Sequence, residues 1–351
     1  MYEARTQEEI LRELQEKSKS AQANFEGTFE YDVLASNSIE FAKMETEMEK
    51  MYKAAFADTS YGEYLTMIAG AAGVIRKQAT YAIGTVTVKG NGTVYAGSVF
   101  TTMAGTRFVV QEDTVVEGQT DVDVQCATAG AVGNVAAGTI TNMPMSIPGI
   151  ESVSNAEAAH EGYDLEDDDE LRERYFIKVR KPATSGNKWH YIQWAMEVEG
   201  VGIAKAWRAW NGPNTVKVIL VDSNMQEASE TLCKKAWEHI ETERPVGAEV
   251  TVVSAVPVPI NIEATLTSSI DEEAFKAGLL GYFKEVCHQV MFSDETTSYV
   301  SLARIGSLIL TAGLAKDYKE DSLLLNGLER NVALGVEEIP AVGEVTFHVI
   351  S

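Results

Sequence analysis

The spacing of apolar residues changes character several times along this chain, and each change predicts a different kind of element. Residues 4–17 put Ile10, Leu11 and Leu14 on one face of a short helix, which Glu26-Gly27-Thr28 breaks. From 33 to 57, Leu34, Phe41, Met48 and Ala55 recur every seven residues, and Asn37, Met44 and Met51 follow three after the first three of them. That is a heptad seam of about three repeats, with one polar position of the kind that can fix register. Such a helix either packs on its own domain or enters a bundle with another subunit. Methionine suits an adaptable interface and a soft core equally. Residues 58–80 predict another helix, with Tyr64, Leu65, Ile68 and Ala72 on one face and Asp58, Thr59 or Ser60 as cap.

From Tyr81 the period shortens to two. Residues 84–89 alternate, Asn91-Gly92 reads as a tight turn, and short strands are expected near 98–102, 106–110, 114–116 and 120–128. After residue 160 an acidic helix start and a loop, Pro182-Ala183-Thr184-Ser185-Gly186-Asn187, lead to a helix near 186–198. Strands at 201–210 and 215–222, a helix at 226–243 and a strand at 248–254 follow, an α-β-β-α-β order that suggests two layers. All five tryptophans fall in this stretch, with Trp207 and Trp210 expected on opposite faces of one strand. Pro257-Val258-Pro259 reads as a linker to a strand at 259–268, helices at 271–291 and 299–312, and a strand pair at 315–325 and 330–337. The expected fold class is therefore α+β and multidomain. It comprises N-terminal helices (1–80), a small antiparallel β domain (81–160), and two two-layer α/β domains (161–256 and 257–351).

One run stands between the second and third of these. It begins Gly130-Ala131-Val132-Gly133-Asn134-Val135, passes Gly138, and ends Gly162-Tyr163-Asp164-Leu165-Glu166 and then Leu171-Arg172-Glu173-Arg174. Glycine-punctuated β structure there meets an acidic first helical turn, which the helix dipole favours. The run reads as a hinge.

Composition narrows the functions. With 29 Lys plus Arg against 52 Asp plus Glu, the net charge of −23 argues against nucleic-acid partners and anionic membrane surfaces. Three scattered cysteines without CxxC spacing argue against a disulfide framework. The first nine residues show no basic stretch leading into an apolar core, and no apolar run approaches the roughly 18 residues of a membrane span. Synthesis and folding in the cytoplasm are expected.

Chemistry is hard to find. Asp164, Glu166 and Asp168 fill the first, third and fifth positions of an EF-hand loop, but Asp169 and Tyr175 stand where glycine and glutamate belong. The five histidines form no ligand pair, and Cys287-His288, as neighbours on a helix, point apart. Neither a P-loop nor a GxSxG elbow occurs. No catalytic residue, metal or cofactor is expected.

The ordered pieces do resemble a family, the baseplate J-like proteins of contractile tails and tail-like bacteriocins. The match runs through Phe56–Leu65, Gly73–Gly84, the 130–174 run with Ile150, Val153 and Asn155, Pro182-Ala183-Thr184, Gly212–Val216, Pro245–Ala248 and Pro340–Val345. This resemblance implies a structural wedge subunit, made in bacterial cytoplasm and built into a phage or tailocin baseplate. It implies that two copies bundle with one copy of a second wedge protein through N-terminal helices, which would place Leu34, Phe41, Met44, Met48 and Met51 at a subunit interface. It also implies lateral contacts with neighbouring wedges in a ring around a central hub, with the sheath as a further candidate neighbour. The signature residues Gly133, Asn134, Val135, Gly138, Gly162, Asp164, Glu166, Arg172 and Arg174 would then form the hinge. A different reading, a tail-tip carbohydrate- or cell-surface-binding module, would need exposed aromatics among Tyr81, Tyr95, Phe100 and Phe108. A peptidoglycan hydrolase would need a catalytic constellation.

Overall fold

The computed structural model describes residues 2–181, 183–184, 186–292 and 298–350; Pro182 and Ser185 of the expected loop lie outside them. The chain opens with helices α1 (Gln7–Lys17), α2 (Phe29–Ala54) and α3 (Gly62–Ala71). Strands β1 (Tyr81–Val94), β2 (Val99–Thr102), β3 (Arg107–Val110), β4 (Thr114–Ala129), β5 (Ile140–Asn142) and β6 (Ile150–Ser154) follow. Next come α4 (Asp168–Arg180), α5 (Lys188–Glu197), β7 (Val201–Arg208), β8 (Thr215–Asp222), α6 (Glu230–Glu243) and β9 (Glu249–Ser254). The last elements are β10 (Val256–Leu266), α7 (Glu272–Phe292), β11 (Ser298–Val300), α8 (Leu302–Thr311), β12 (Leu324–Leu325), β13 (Val332–Leu334) and β14 (Glu338–Val349). The fold is mixed α/β. It divides into one unit of Met1–Arg76 with Asp167–Val179, and a second of Lys77–Glu166 with Arg180–Ser351.

In the first unit, a capping box starts α1: the Thr6 hydroxyl accepts the Glu9 amide while the Glu9 carboxylate accepts the Thr6 amide at 2.8 Å. Thr28 caps α2 by accepting the Tyr31 amide at 3.2 Å. The two helices pack together, and Ile10 of α1 is buried. The residues that α2 buries are Ser38 and Glu45, both polar. Helix α3 is shorter than the periodicity suggests. It stops at Ala71 because Gly73, at φ 77°, turns the chain so that the Val74 amide returns to the Ala69 carbonyl at 2.9 Å. Leu65, Ala69 and Val74 then close a small core with Leu171 of α4.

The second unit begins with a six-stranded sheet in the order β5-β2-β3-β4-β1-β6. Its two end strands approach each other, so the sheet is nearly a closed barrel. Alternate residues Val86, Val88, Phe100, Phe108, Val122, Val124 and Ile140 fill its interior. The expected turn at Asn91-Gly92 is absent: β1 runs through it to Val94, pairing Asn91 with Glu117 and Gly92 with Val116. The glycine there serves close approach instead. A Cβ on Gly92 would sit 2.4 Å from the Pro148 carbonyl oxygen, and one on Gly90 would sit 2.2 Å from that of Gly149.

Strands β7, β8 and β9 form a three-stranded sheet, antiparallel then parallel. Helices α5 and α6 pack on it, while Ile203, Ile219 and Val221 share a core with Cys287 and Met291 of α7. Both faces are thus buried and the sheet is a middle layer, which is why β8 reads as a nearly unbroken apolar run, Val218-Ile219-Leu220-Val221. The Pro257-Val258-Pro259 stretch, expected as a linker, is instead the start of β10, paired in parallel with β14. Its prolines are tolerated because β12 meets β10 only at Ile262 and Glu263, so no neighbour needs their missing N–H groups. Residues 315–337 do not form a strand pair: β12 joins β10 and β13 joins β11. Beneath these lies a large apolar core, with Ile260, Phe275, Leu279, Phe283, Ile305 and Ile309.

Candidate functional site

The signature run folds into a hydrogen-bonded clasp. Asn134 is its centre: its side-chain oxygen accepts the Gly162 amide at 2.9 Å, and its side-chain nitrogen donates to the Gly162 carbonyl at 2.7 Å. One asparagine side chain thereby mimics a strand partner. Thr80 does the same work from the head of β1. Its amide donates to the Tyr163 carbonyl at 2.9 Å, and its hydroxyl accepts the Tyr163 amide at 3.0 Å and donates to the Glu161 carbonyl at 2.6 Å. The Asp164 carboxylate accepts the Ala131 amide at 3.0 Å. Tight fit dictates the two central glycines: a Cβ on Gly133 would lie 2.7 Å from the Ala82 methyl, and one on Gly162 2.5 Å from the Gly130 carbonyl oxygen.

Val135 packs on the barrel core, and its carbonyl accepts the Ala159 amide at 2.9 Å. The Gly138 amide donates to the Asn155 carbonyl at 2.7 Å. Asn155, fully buried, accepts the Ile140 amide at 2.8 Å and donates to the carbonyls of Ala136 and Glu157. Glu166, also buried, closes the clasp: its carboxylate accepts the Lys77 amide at 3.0 Å and its own amide donates to the Lys77 carbonyl at 3.2 Å.

The rest of the signature belongs to the first unit. The Asp168 carboxylate accepts the Gly62 amide at 2.8 Å and an Arg76 N–H at 2.6 Å, contacts that hold its carboxyl below the usual range. Arg172 donates to the carbonyls of Ala57 and Ser60 at 2.9 and 2.7 Å and pairs with Asp169, while Arg174 donates to the Ile75 carbonyl at 3.2 Å. The acidic residues therefore face separate donors and do not converge. Among the described residues no group of three or more His, Cys, Asp or Glu side chains is placed to hold a metal ion.

The heptad residues lie elsewhere in the first unit. Leu34 is half-buried, but Phe41, Met44, Met48 and Met51 are 46, 60, 47 and 71% exposed. At about 100° per residue, this seam sits roughly 120° around α2 from the face that meets α1. The covered side is held by Arg5, whose guanidinium pairs with Glu45 and whose amide donates to that carboxylate at 2.9 Å. Arg5 pulls the Glu45 carboxyl below the ordinary range. Sequence reading missed Arg5 and Glu45. A glutamate buried on a helix whose methionines are exposed inverts the usual pattern, and only the packing reveals it.

The remaining candidates sort by burial. Phe100 and Phe108 are sealed in the barrel, leaving Tyr81 and Tyr95 as its exposed candidate aromatics. Trp210 and Trp237 are 46 and 41% exposed, whereas Trp207 packs against the core shared with α7. Cys287 is buried, with its thiol pushed up to about 12 by that burial, and the His288 ring lies tilted against Phe292 with ring centres 4.6 Å apart. A cleft of about 450 Å³ in the second unit is lined by Gln226, Glu227, Lys276, Phe283, Lys284 and Pro340. Near it Asp222, 7% exposed, accepts the Asn224 and Gln226 amides at 2.9 and 2.8 Å, and burial raises its carboxyl to about 6. No helix among the described residues is long and apolar enough to cross a membrane.

Two family models match this chain: the baseplate J-like protein barrel domain over residues 85–162, and the baseplate J-like central domain over 183–254. The first coincides with the barrel and the second with the α5–β9 layer. Protein XkdT of the phage-like element PBSX in Bacillus subtilis (strain 168) is 33% identical over 98% of both chains. YqbT of the same organism, an uncharacterized protein, is 32% identical over 98% of both. Baseplate protein gp47 of Escherichia phage Mu is 32% identical over 43% of this chain and 44% of its own. A solved chain of the anti-feeding prophage baseplate covers 96% of this chain and 90% of its own at a TM-score of 0.37 and 8% identity, too distant to bear weight.

Proposed function

This chain belongs to the baseplate J-like family, and on that footing we propose that it is a wedge subunit of a contractile tail or tail-like particle. The coarse statement, a baseplate component of a phage or tail-like particle, rests on the family models and on the relative in phage Mu. The finer reading is that two copies bundle with one copy of a second wedge protein through α2, and that neighbouring wedges close a ring around the hub, within reach of the sheath. In this reading the protein is made in the bacterial cytoplasm, carries no catalytic centre or cofactor, and acts through protein contacts alone. The clasp around Asn134 and Gly162 would serve as a fixed joint.

One observation carries the wedge reading. Phe41, Met44, Met48 and Met51 stand open to solvent on a helix whose packed side is polar. A soluble monomer rarely leaves so continuous an apolar stripe uncovered, and a seam of this period is what a helical bundle buries. The test is co-purification. Met44→Asp or Met48→Asp should stop the chain from co-purifying with a second wedge protein while the barrel stays folded. Normal assembly by both variants would refute the seam assignment.

A further inference from the structure

One edge of the three-stranded sheet in the second unit is open, and a single side chain stands across it. In the order β7-β8-β9, strand β9 lies at the end, with no strand beyond it among the described residues. The Glu249 amide donates to the Asn214 carbonyl and the Ala255 amide to the Leu220 carbonyl, both at 2.8 Å. In a parallel ladder that phase turns the backbone of Glu249, Thr251 and Val253 toward β8. Val250, Val252 and Ser254 therefore direct their N–H and C=O groups to the open side. The segment Val250-Thr251-Val252-Val253 is β-branched throughout, a composition that pairs readily with another strand.

Native edges of this kind are blunted by charge, by proline, by a bulge or by a covering element. Strand β9 has no proline, and its register with β8 is unbroken from Glu249 to Ser254. What stands there is Trp237 of α6. Its indole N–H donates to the Val250 carbonyl at 3.2 Å, so the ring occupies the place where a pairing strand would present its own N–H. Core packing does not account for this residue: α6 buries Leu232, Ala236 and Ile240, while Trp237 is exposed. Beside it, a groove of about 500 Å³ lined by Cys233, Lys234, Val252 and Ser254 leaves the edge accessible. Among the described residues nothing bonds the N–H or C=O of Val252.

We propose that the β9 edge is a masked strand-pairing site, that Trp237 is its mask, and that the strand it excludes is β9 of a second copy. Two such edges are self-complementary. Laid antiparallel about Val252, they exchange two bonds between the free N–H and C=O groups of that residue, and Val250 of each copy meets Ser254 of the other. Trp237 blocks those outer pairs on both copies at once, because it already holds the Val250 carbonyl. The mask keeps free chains from joining sheet to sheet. This reading concerns the chain alone and depends neither on the wedge assignment nor on α2.

The experiment compares the full chain with Trp237→Ala and with Trp237→Leu, which keeps an apolar side chain on α6. Sedimentation equilibrium reads the mass, and amide hydrogen exchange reads the edge. The wild type should show no association through β9, and its Val252 amide should exchange fast. Both tryptophan variants should approach twice the monomer mass as concentration rises, with exchange at Val252 slowed about tenfold. Adding Val252→Pro should return them to monomers without unfolding them, since that N–H makes no bond within the chain. A slow Val252 amide in the wild type, or tryptophan variants that stay monomeric, overturns the proposal. So does association that survives Val252→Pro, or that Met44→Asp/Met48→Asp removes instead, which would assign it to α2. Loss of the folded state in both tryptophan variants would make Trp237 a core residue and overturn the mask as well.

Discussion

Replacing Asp222 with asparagine should stabilise this protein above neutral pH, the reverse of what loss of a buried, hydrogen-bonded carboxylate ordinarily does. Asp222 lies at the end of β8, and its side chain accepts the amides of Asn224 and Gln226. Those bonds favour the charged form, but burial outweighs them and lifts the carboxyl from the ordinary 3.8 to about 6. The folded state therefore holds a proton more tightly than the unfolded chain. Below the unfolded pKa both states are protonated and the group is neutral to stability. As pH rises from there through the folded pKa, the unfolded chain ionises first and stability falls, levelling off once the folded carboxyl has ionised too. A rise of that size corresponds to about 3 kcal/mol lost by pH 8. The asparagine side chain would keep an acceptor oxygen for both amides and never ionise. Asp222→Asn should then gain about 1–3 kcal/mol over wild type at pH 8 in urea unfolding, with the difference falling to about 0.5 kcal/mol near pH 4 and vanishing below about pH 3. A variant less stable than wild type by the same amount at both pH values would refute the reasoning, because it would mean that the native carboxylate is ionised and well paired.

Two further substitutions test the clasp and the N-terminal contact. Asn134→Ala removes both bonds to Gly162 and leaves its buried amide unmatched, so urea unfolding should show a loss of about 2–3 kcal/mol, whereas Asn134→Asp, which keeps only the acceptor, should lose less. Glu45→Ala leaves Arg5 without its main partner and should detach the N-terminal segment from α2, read as faster amide hydrogen exchange in residues 4–17 with no change in the barrel.

The order and kind of most elements were legible because their periods are strong. The alternation of β1 and the apolar run of β8 follow from burial geometry that the residues encode locally, and the heptad of α2 marks the helix by its period alone. The failures have a common cause in tertiary contacts. Asn91-Gly92 carries the local signature of a turn, yet Gly92 is needed for the close passage of Pro148, which no local pattern reports. Pro257 and Pro259 look like breakers, but a strand can keep them where one edge has no neighbour. For the clasp, the residue types at 133, 134 and 162 marked the place. That Asn134 and Thr80 each bind backbone across the run became visible only when 80, 134 and 162–163 were brought together. The seam was readable as a stripe, but its exposure was not: a stripe of Phe41, Met44 and Met48 has the same sequence whether it faces a core or solvent. The buried Glu45 and its Arg5 partner were hidden for the same reason.

The most direct test of the central claim, that this chain builds the baseplate of a contractile particle, is electron microscopy of particles made with and without its gene. Loss of the gene should leave sheathed tails lacking a baseplate, or no tails at all. Contractile particles of normal appearance in its absence would contradict the account.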